Sequence, residues 1–156
     1  MRAPRRFIWV LSGLVAAGCA ASSVDPPAIR YGESACAECR MLINEARYAA
    51  AAVTRTDEPV VFDSTECLLR FLRRNGTSMA RVWVHDYGAD RWLVSDEAFY
   101  VVSPELTTPM GQGVVATASA PEADRLAGTV HGRVLRFAQL ATLIDNTATT
   151  NEPRSP

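Results

Sequence analysis

The sequence predicts an α+β domain. Three observations carry that reading: seven short stretches rich in Val, Ala and aromatic residues read as strands, helical stretches arrive singly between them, and one run of segments recurs. With 156 residues the chain has room for one domain or two small ones, and 48% hydrophobic with 21% charged residues is an ordinary globular balance.

The N-terminal 18 residues read as a signal peptide. Arg2, Arg5 and Arg6 precede an apolar run over 7–17, too short for a membrane span, which needs ~20 apolar residues. Ala16-Ala17-Gly18 then leads into Cys19, which resembles a bacterial lipobox. Cys19 is therefore expected to be lipidated and to become the first mature residue, anchoring the protein to a membrane surface that nothing spans. Ordinary cleavage with release, or a retained helix with a buried thiol, are the alternatives. Ala20 follows Cys19 where an inner-membrane lipoprotein typically has Asp, so an outer-membrane anchor facing the periplasm is expected if the source is Gram-negative. Residues 19–30 read as a lipidated start and flexible tether, and 146–156 as a disordered tail.

Between them, strands are expected at 48–54, 60–63, 81–86, 91–94, 99–103, 114–119 and 133–136, and helices at 64–75, 121–127 and 137–145. The first helix is the best marked: Asp63 or Ser64 can cap it, Arg73 and Arg74 fill its last turn, and Asn75-Gly76 ends it. Cys67, Leu68, Phe71 and Leu72 share one apolar face, which favours Cys67 as a small core residue over a ligand. The recurrence sets Met41 against Met110 and Val61–Asp63 against Val134–Arg136, at offsets of 69 and 73, and divides the domain into halves of about 31–90 and 91–145. Two similar halves about a pseudo-twofold axis would bring the two methionines to equivalent positions.

Net charge is −1 and all 16 basic residues are arginine, so no basic excess is present to hold nucleic acid. Without Cys19, three of the four cysteines remain: Cys36, Cys39 and Cys67. An odd number in an exported chain excludes a complete disulfide framework. Either Cys36 and Cys39 pair and Cys67 stays a thiol, or the pair serves a metal or redox role.

The chemistry concentrates in Cys36-Ala37-Glu38-Cys39-Arg40-Met41. Thiolate with thioether is a soft donor set, which favours Cu(I) over hard cations. In an extended segment Cys39 and Met41 point the same way, Met110 can supply a third sulfur, and Arg40 nearby favours the thiolate. Cys36 is a second thiolate, a redox partner of Cys39, or a spectator. Met79, His85 and His131 are read outside the site, Trp83 and Trp92 as sheet residues, and Thr108 and Gln112 as hydrogen-bonding groups near it.

The stretches Cys36–Ile43 and Thr108-Pro109-Met110-Gly111-Gln112-Gly113 resemble the two signatures of the NosL family, copper-binding lipoproteins that assist assembly of the copper centres of nitrous oxide reductase. Trp92, Ala98, Tyr100-Val101 and Gly132-Arg133-Val134-Leu135 fit its spacing, so the resemblance covers about 31–145. It implies two similar small ββαβ halves and a Cu(I) carrier, not an enzyme, with Cys39, Met41, Met110 and Cys36 at the metal. The implied partners are an ABC-transporter assembly machinery with its periplasmic subunit, and nitrous oxide reductase. The family usually has Gly where this chain has Arg40, which strains the chain there if φ is positive. Two other classes compete: a thiol–disulfide redox protein using Cys36 and Cys39, without a thioredoxin-like strand before and helix after the motif, and a zinc-stabilised interaction module, without a second Cys-x-x-Cys.

Overall fold

The computed structural model describes residues 25–75, 79–140 and 142. The expected signal peptide, Cys19, the start of the tether and the tail lie outside the described residues. Two antiparallel sheets are built in chain order: β1 (Ala50–Thr54), β2 (Pro59–Phe62), α1 (Thr65–Asn75), β3 (Met79–His85), β4 (Trp92–Val94), β5 (Phe99–Val102), β6 (Val114–Thr117), α2 (Ala120–Thr129) and β7 (Arg133–Leu135). The first sheet runs β2-β1-β3-β4 and the second β6-β5-β7. The chain is α+β, as its sequence predicts.

Short-range chemistry explains the elements. Ala50, Ala51 and Ala52 are fully buried, so β1 has neighbours close on both faces and no side chain longer than a methyl there. The Ser64 hydroxyl accepts from the Cys67 amide at 3.2 Å and caps α1. Ser119 does the same for Glu122 at the head of α2, with Pro121 in the first turn. In the second sheet the faces divide with period two. Tyr100, Val114 and Ala116 enter the larger core with Phe62, Leu68, Leu72, Val84 and Leu140, whereas Val101 and Val115 meet Ala123 and Ala127 of α2. Helix α1 packs against β1 and β2 of one sheet and β6 of the other, so its buried face closes the larger core.

The recurrence drawn from the sequence is not the one the sheets follow. Each run β-β-α-β, β1-β2-α1-β3 and β5-β6-α2-β7, lays its strands in the order second-first-third. That order sets β2 against β6 and α1 against α2. Residues 134–136 fall at the third strand instead, and Met41 and Met110 occupy different connections, before β1 and between β5 and β6. Short apolar strands preceding helices look alike in sequence, and pattern alone chose the wrong pair. β4, placed by the sequence in the second half, is the edge strand of the first sheet.

Candidate metal centre

Residues 32–43 form a small hairpin ahead of β1. Ala35 bridges Leu42, the Cys36 amide donates to the Met41 carbonyl at 2.8 Å, and the Ile43 amide donates to Ser34 at 2.9 Å. The Ala37 amide donates to Val61 at 2.9 Å and fastens the hairpin to the edge of β2. The loop turns back through Arg40, whose φ is 67°, in the left-handed region that favours glycine. The strain expected from arginine at the family's glycine position is present. The segment is a turn rather than extended, so the alternation that set Cys39 and Met41 on one side does not apply.

Turn and helix bring three sulfurs together. Cys36 and Cys67 are fully buried, Cys39 is half-buried, and their Sγ atoms all lie within 4.8 Å of one another. Among the described residues none of them forms a disulfide. Cys67, which the sequence favoured as core, is both a core residue and a member of this cluster. The signal that could have found it is its place in the first turn of a capped helix, where amide dipoles favour a thiolate.

The cluster shares its protons unequally. Cys36 is pulled down to about 5, first by the hydrogen bond from the Cys67 thiol and then by backbone N–H groups of Asp63, Cys39 and Glu38, against the opposing effect of burial. Cys67 moves the other way, raised by donating to Cys36 and by burial. Burial is also the first cause raising Cys39. The resting cluster is therefore one thiolate cradled by a thiol and by amides. Arg40 is exposed, and the support for the thiolate comes from Cys67 and the backbone.

The methionines stand at different depths. Met41 is 51% exposed and lines a cavity of about 320 Å³ with Tyr48, Asp63, Thr107, Thr108 and Pro109. Met110 is half-buried and packs against the same core cluster that holds Cys36 and Cys67. Asp63, buried at the foot of that cavity, has its carboxyl raised, first by burial and then by the charge of Cys36.

The remaining candidates are occupied elsewhere. His85 is buried with Nε2 3.2 Å from Asp90 and its ring edge on Trp92. His131 is exposed, with Nδ1 2.9 Å from Glu105. Met79 opens β3 and packs against the main core. Gln112 is exposed, whereas Thr108 is buried and donates to Glu66 Oε1 at 2.6 Å. Glu66, fully buried, was not singled out by sequence. Among the described residues no helix is long and apolar enough to cross a membrane.

The family model for NosL matches residues 28–143. The copper-binding lipoprotein NosL of Stutzerimonas stutzeri is 36% identical over 69 residues, which is 39% of this chain and 36% of that protein, so the chain spans about a third of the length of this relative. The crystal structure of the copper chaperone NosL from Shewanella denitrificans superposes with a TM-score of 0.66 at 25% identity, covering 73% of this chain and 93% of that one.

Proposed function

The chain belongs to the NosL family, and on that premise we propose that it is a periplasm-facing lipoprotein that carries Cu(I) for the assembly of nitrous oxide reductase. The observation that carries the reading is the meeting of Cys36, Cys39 and Cys67 within 4.8 Å, where the neighbouring thiol and amides draw Cys36 well below the ordinary thiol range. Sulfur donors suit a soft monovalent ion, and a cluster with one resident thiolate releases fewer protons on loading than three neutral thiols would. Met41 and Met110 add neutral thioethers, which strengthen the hold on Cu(I) without the extra charge that favours zinc. Met41 is exposed and Cys39 half-buried, so a partner's ligand reaches the ion from their side before the buried sulfurs let go. Transfer then needs no free copper and no catalytic turnover.

Delivery would run through an ABC-transporter assembly machinery and its periplasmic subunit to the reductase. Lipidation at Cys19 would hold the carrier at the outer membrane of a Gram-negative cell, and Cys19→Ser should move it from the membrane to the soluble fraction.

The test is an anaerobic titration of the purified protein with Cu(I) against a chromogenic chelator, with Cys39→Ala, Met41→Ala and Met110→Ala alongside. A single tight equivalent, weakened by each substitution, supports the carrier. Failure to compete for Cu(I) overturns it. Tight zinc with weak copper would favour the interaction module, and reversible oxidation of Cys36 with Cys39 without copper binding the redox protein.

A further inference from the structure

We propose that Glu66 is a positioning residue for Met110, holding the β5–β6 connection against the thiol cluster; this rests on the carrier reading, in which Met110 is a copper ligand. Glu66 is fully buried on the first turn of α1, next in sequence to Cys67. Its Oε1 accepts from the Thr108 hydroxyl at 2.6 Å and from the Val114 amide at 3.3 Å, the two ends of the segment that carries Met110. Thr108 closes that segment on itself: its Oγ1 accepts from the Gly113 amide at 3.1 Å, and its carbonyl from the Gly111 amide at 3.0 Å. Met110 thus sits in a loop whose neck is drawn together by one carboxylate oxygen. The turn of helix that supplies the Cys67 sulfur also anchors the Met110 loop.

The other oxygen of Glu66, Oε2, is buried with no hydrogen-bond partner among the described residues. A buried carboxylate half satisfied is a costly way to stabilise a core, and an apolar side chain of similar size would serve packing better. The tie to Thr108 and Val114 is what the carboxylate supplies and an apolar residue cannot. The connection keeps other tethers: the Tyr48 hydroxyl donates to the Thr107 carbonyl at 3.1 Å on the exposed side, the Ser103 amide donates to the Gly113 carbonyl at 3.0 Å, and His131 meets Glu105 at 2.9 Å. None of these reaches the Thr108 side chain, so removing Glu66 should loosen the loop at Thr108, ahead of Met110, while the rest of the connection stays attached.

The experiment is a double-mutant cycle on the full protein, read by Cu(I) affinity and by the number of sulfur scatterers in X-ray absorption of the loaded form. Glu66→Leu should weaken Cu(I) binding about tenfold, in the range typical of residues that orient metal ligands, and lower the sulfur count as Met110→Ala does. In the Met110→Ala background it should cost less than about twofold more. Glu66→Gln, which keeps the acceptor, should restore binding to within about threefold. If Glu66→Leu does not fold, Thr108→Val breaks the same tie from the loop side and is expected to behave alike. Full, additive losses from Glu66→Leu and Met110→Ala, or an unchanged sulfur count in Glu66→Leu, overturn the positioning role while leaving Met110 a ligand. Indifference of affinity to Met110→Ala alone overturns the place of Met110 in the carrier, and the role of Glu66 with it.

Discussion

The sulfur of Cys67, held in the first turn of α1, lies within 4.8 Å of the sulfur of Cys36 in the hairpin that precedes β1, and donation from the Cys67 thiol is the largest single cause of the lowered pKa of Cys36. Helix and hairpin are separate elements, so the proton distribution of the cluster depends on their packing. Removing Cys67 removes both a sulfur and the support for a thiolate. In Cys67→Ala the Cys36 thiol should titrate upward from about 5 toward the ordinary ~8.5, with the Cys39 thiol and backbone amides left to hold the charge. Alkylation of Cys36 by iodoacetamide, followed against pH by mass spectrometry, reads this directly. An unmoved profile would mean that the amides and the Cys39 thiol create the thiolate without Cys67. Loss of the sulfur should also weaken Cu(I) by more than about tenfold.

The same distribution gives the metal-free protein a pH-dependent stability. Between about 5 and the ordinary thiol value of ~8.5, the unfolded chain holds the Cys36 proton and the native state does not. The contribution of Cys36 is thus complete above ~8.5 and is lost as pH falls through about 5. Cys67 and Cys39 are shifted up, so their contribution is present below the ordinary thiol value and is lost as pH rises beyond it. Urea unfolding of the reduced metal-free protein should show stability rising toward mildly alkaline pH and falling above it. Cys36→Ser should flatten the rising limb; equal slopes in both proteins would contradict the assignment of the thiolate to Cys36.

Gly113 closes the Met110 loop in a space with no room for a side chain. Its φ is 66°, and a Cβ there would stand 1.8 Å from the Ser103 carbonyl oxygen. That oxygen belongs to the backbone and cannot turn away as a side chain would. Gly113→Ala should therefore cost more than the ~1–3 kcal/mol of a left-handed residue alone, seen as a lower midpoint in urea. Gly111→Ala provides the comparison: its φ is 70° but nothing lies within 4 Å of its Cβ, so only the backbone cost of ~1–2 kcal/mol should appear. Equal losses at the two positions would argue against the close approach to Ser103.

Strands and the first two helices were legible in the sequence because each rests on local signals such as apolar alternation, the Ser64 cap and the basic residues at the end of α1, whereas the Ser119 cap of α2 was read as the end of a strand. The donor loop was legible because its residues are consecutive. What could not be read locally was long-range closure. Cys67 reads as core from its helical face and is core, yet only the packing of α1 against the hairpin shows that its sulfur meets Cys36. Glu66 escaped for the same reason, because its partners lie more than forty residues away on another connection. The register of the recurrence failed because similar short strands do not reveal which of them pair.

Arg40 is the departure from the family pattern that the structure makes measurable. A non-glycine residue in the left-handed region costs ~1–2 kcal/mol, and Arg40 adopts φ of 67° all the same. Replacement by glycine relieves that strain but admits a more flexible unfolded chain, which returns ~0.5–1 kcal/mol. The first effect is the larger, so Arg40→Gly should stabilise the protein by up to about 1 kcal/mol and raise its melting temperature by a few degrees. Copper affinity should change by less than about threefold, because the Cys36–Met41 and Ala37–Val61 backbone hydrogen bonds already fix the loop in the conformation glycine would choose. A fall in melting temperature would mean that the exposed arginine side chain stabilises the hairpin by more than its backbone costs. A large gain in affinity would instead show that the strain reaches the sulfurs of Cys39 and Met41.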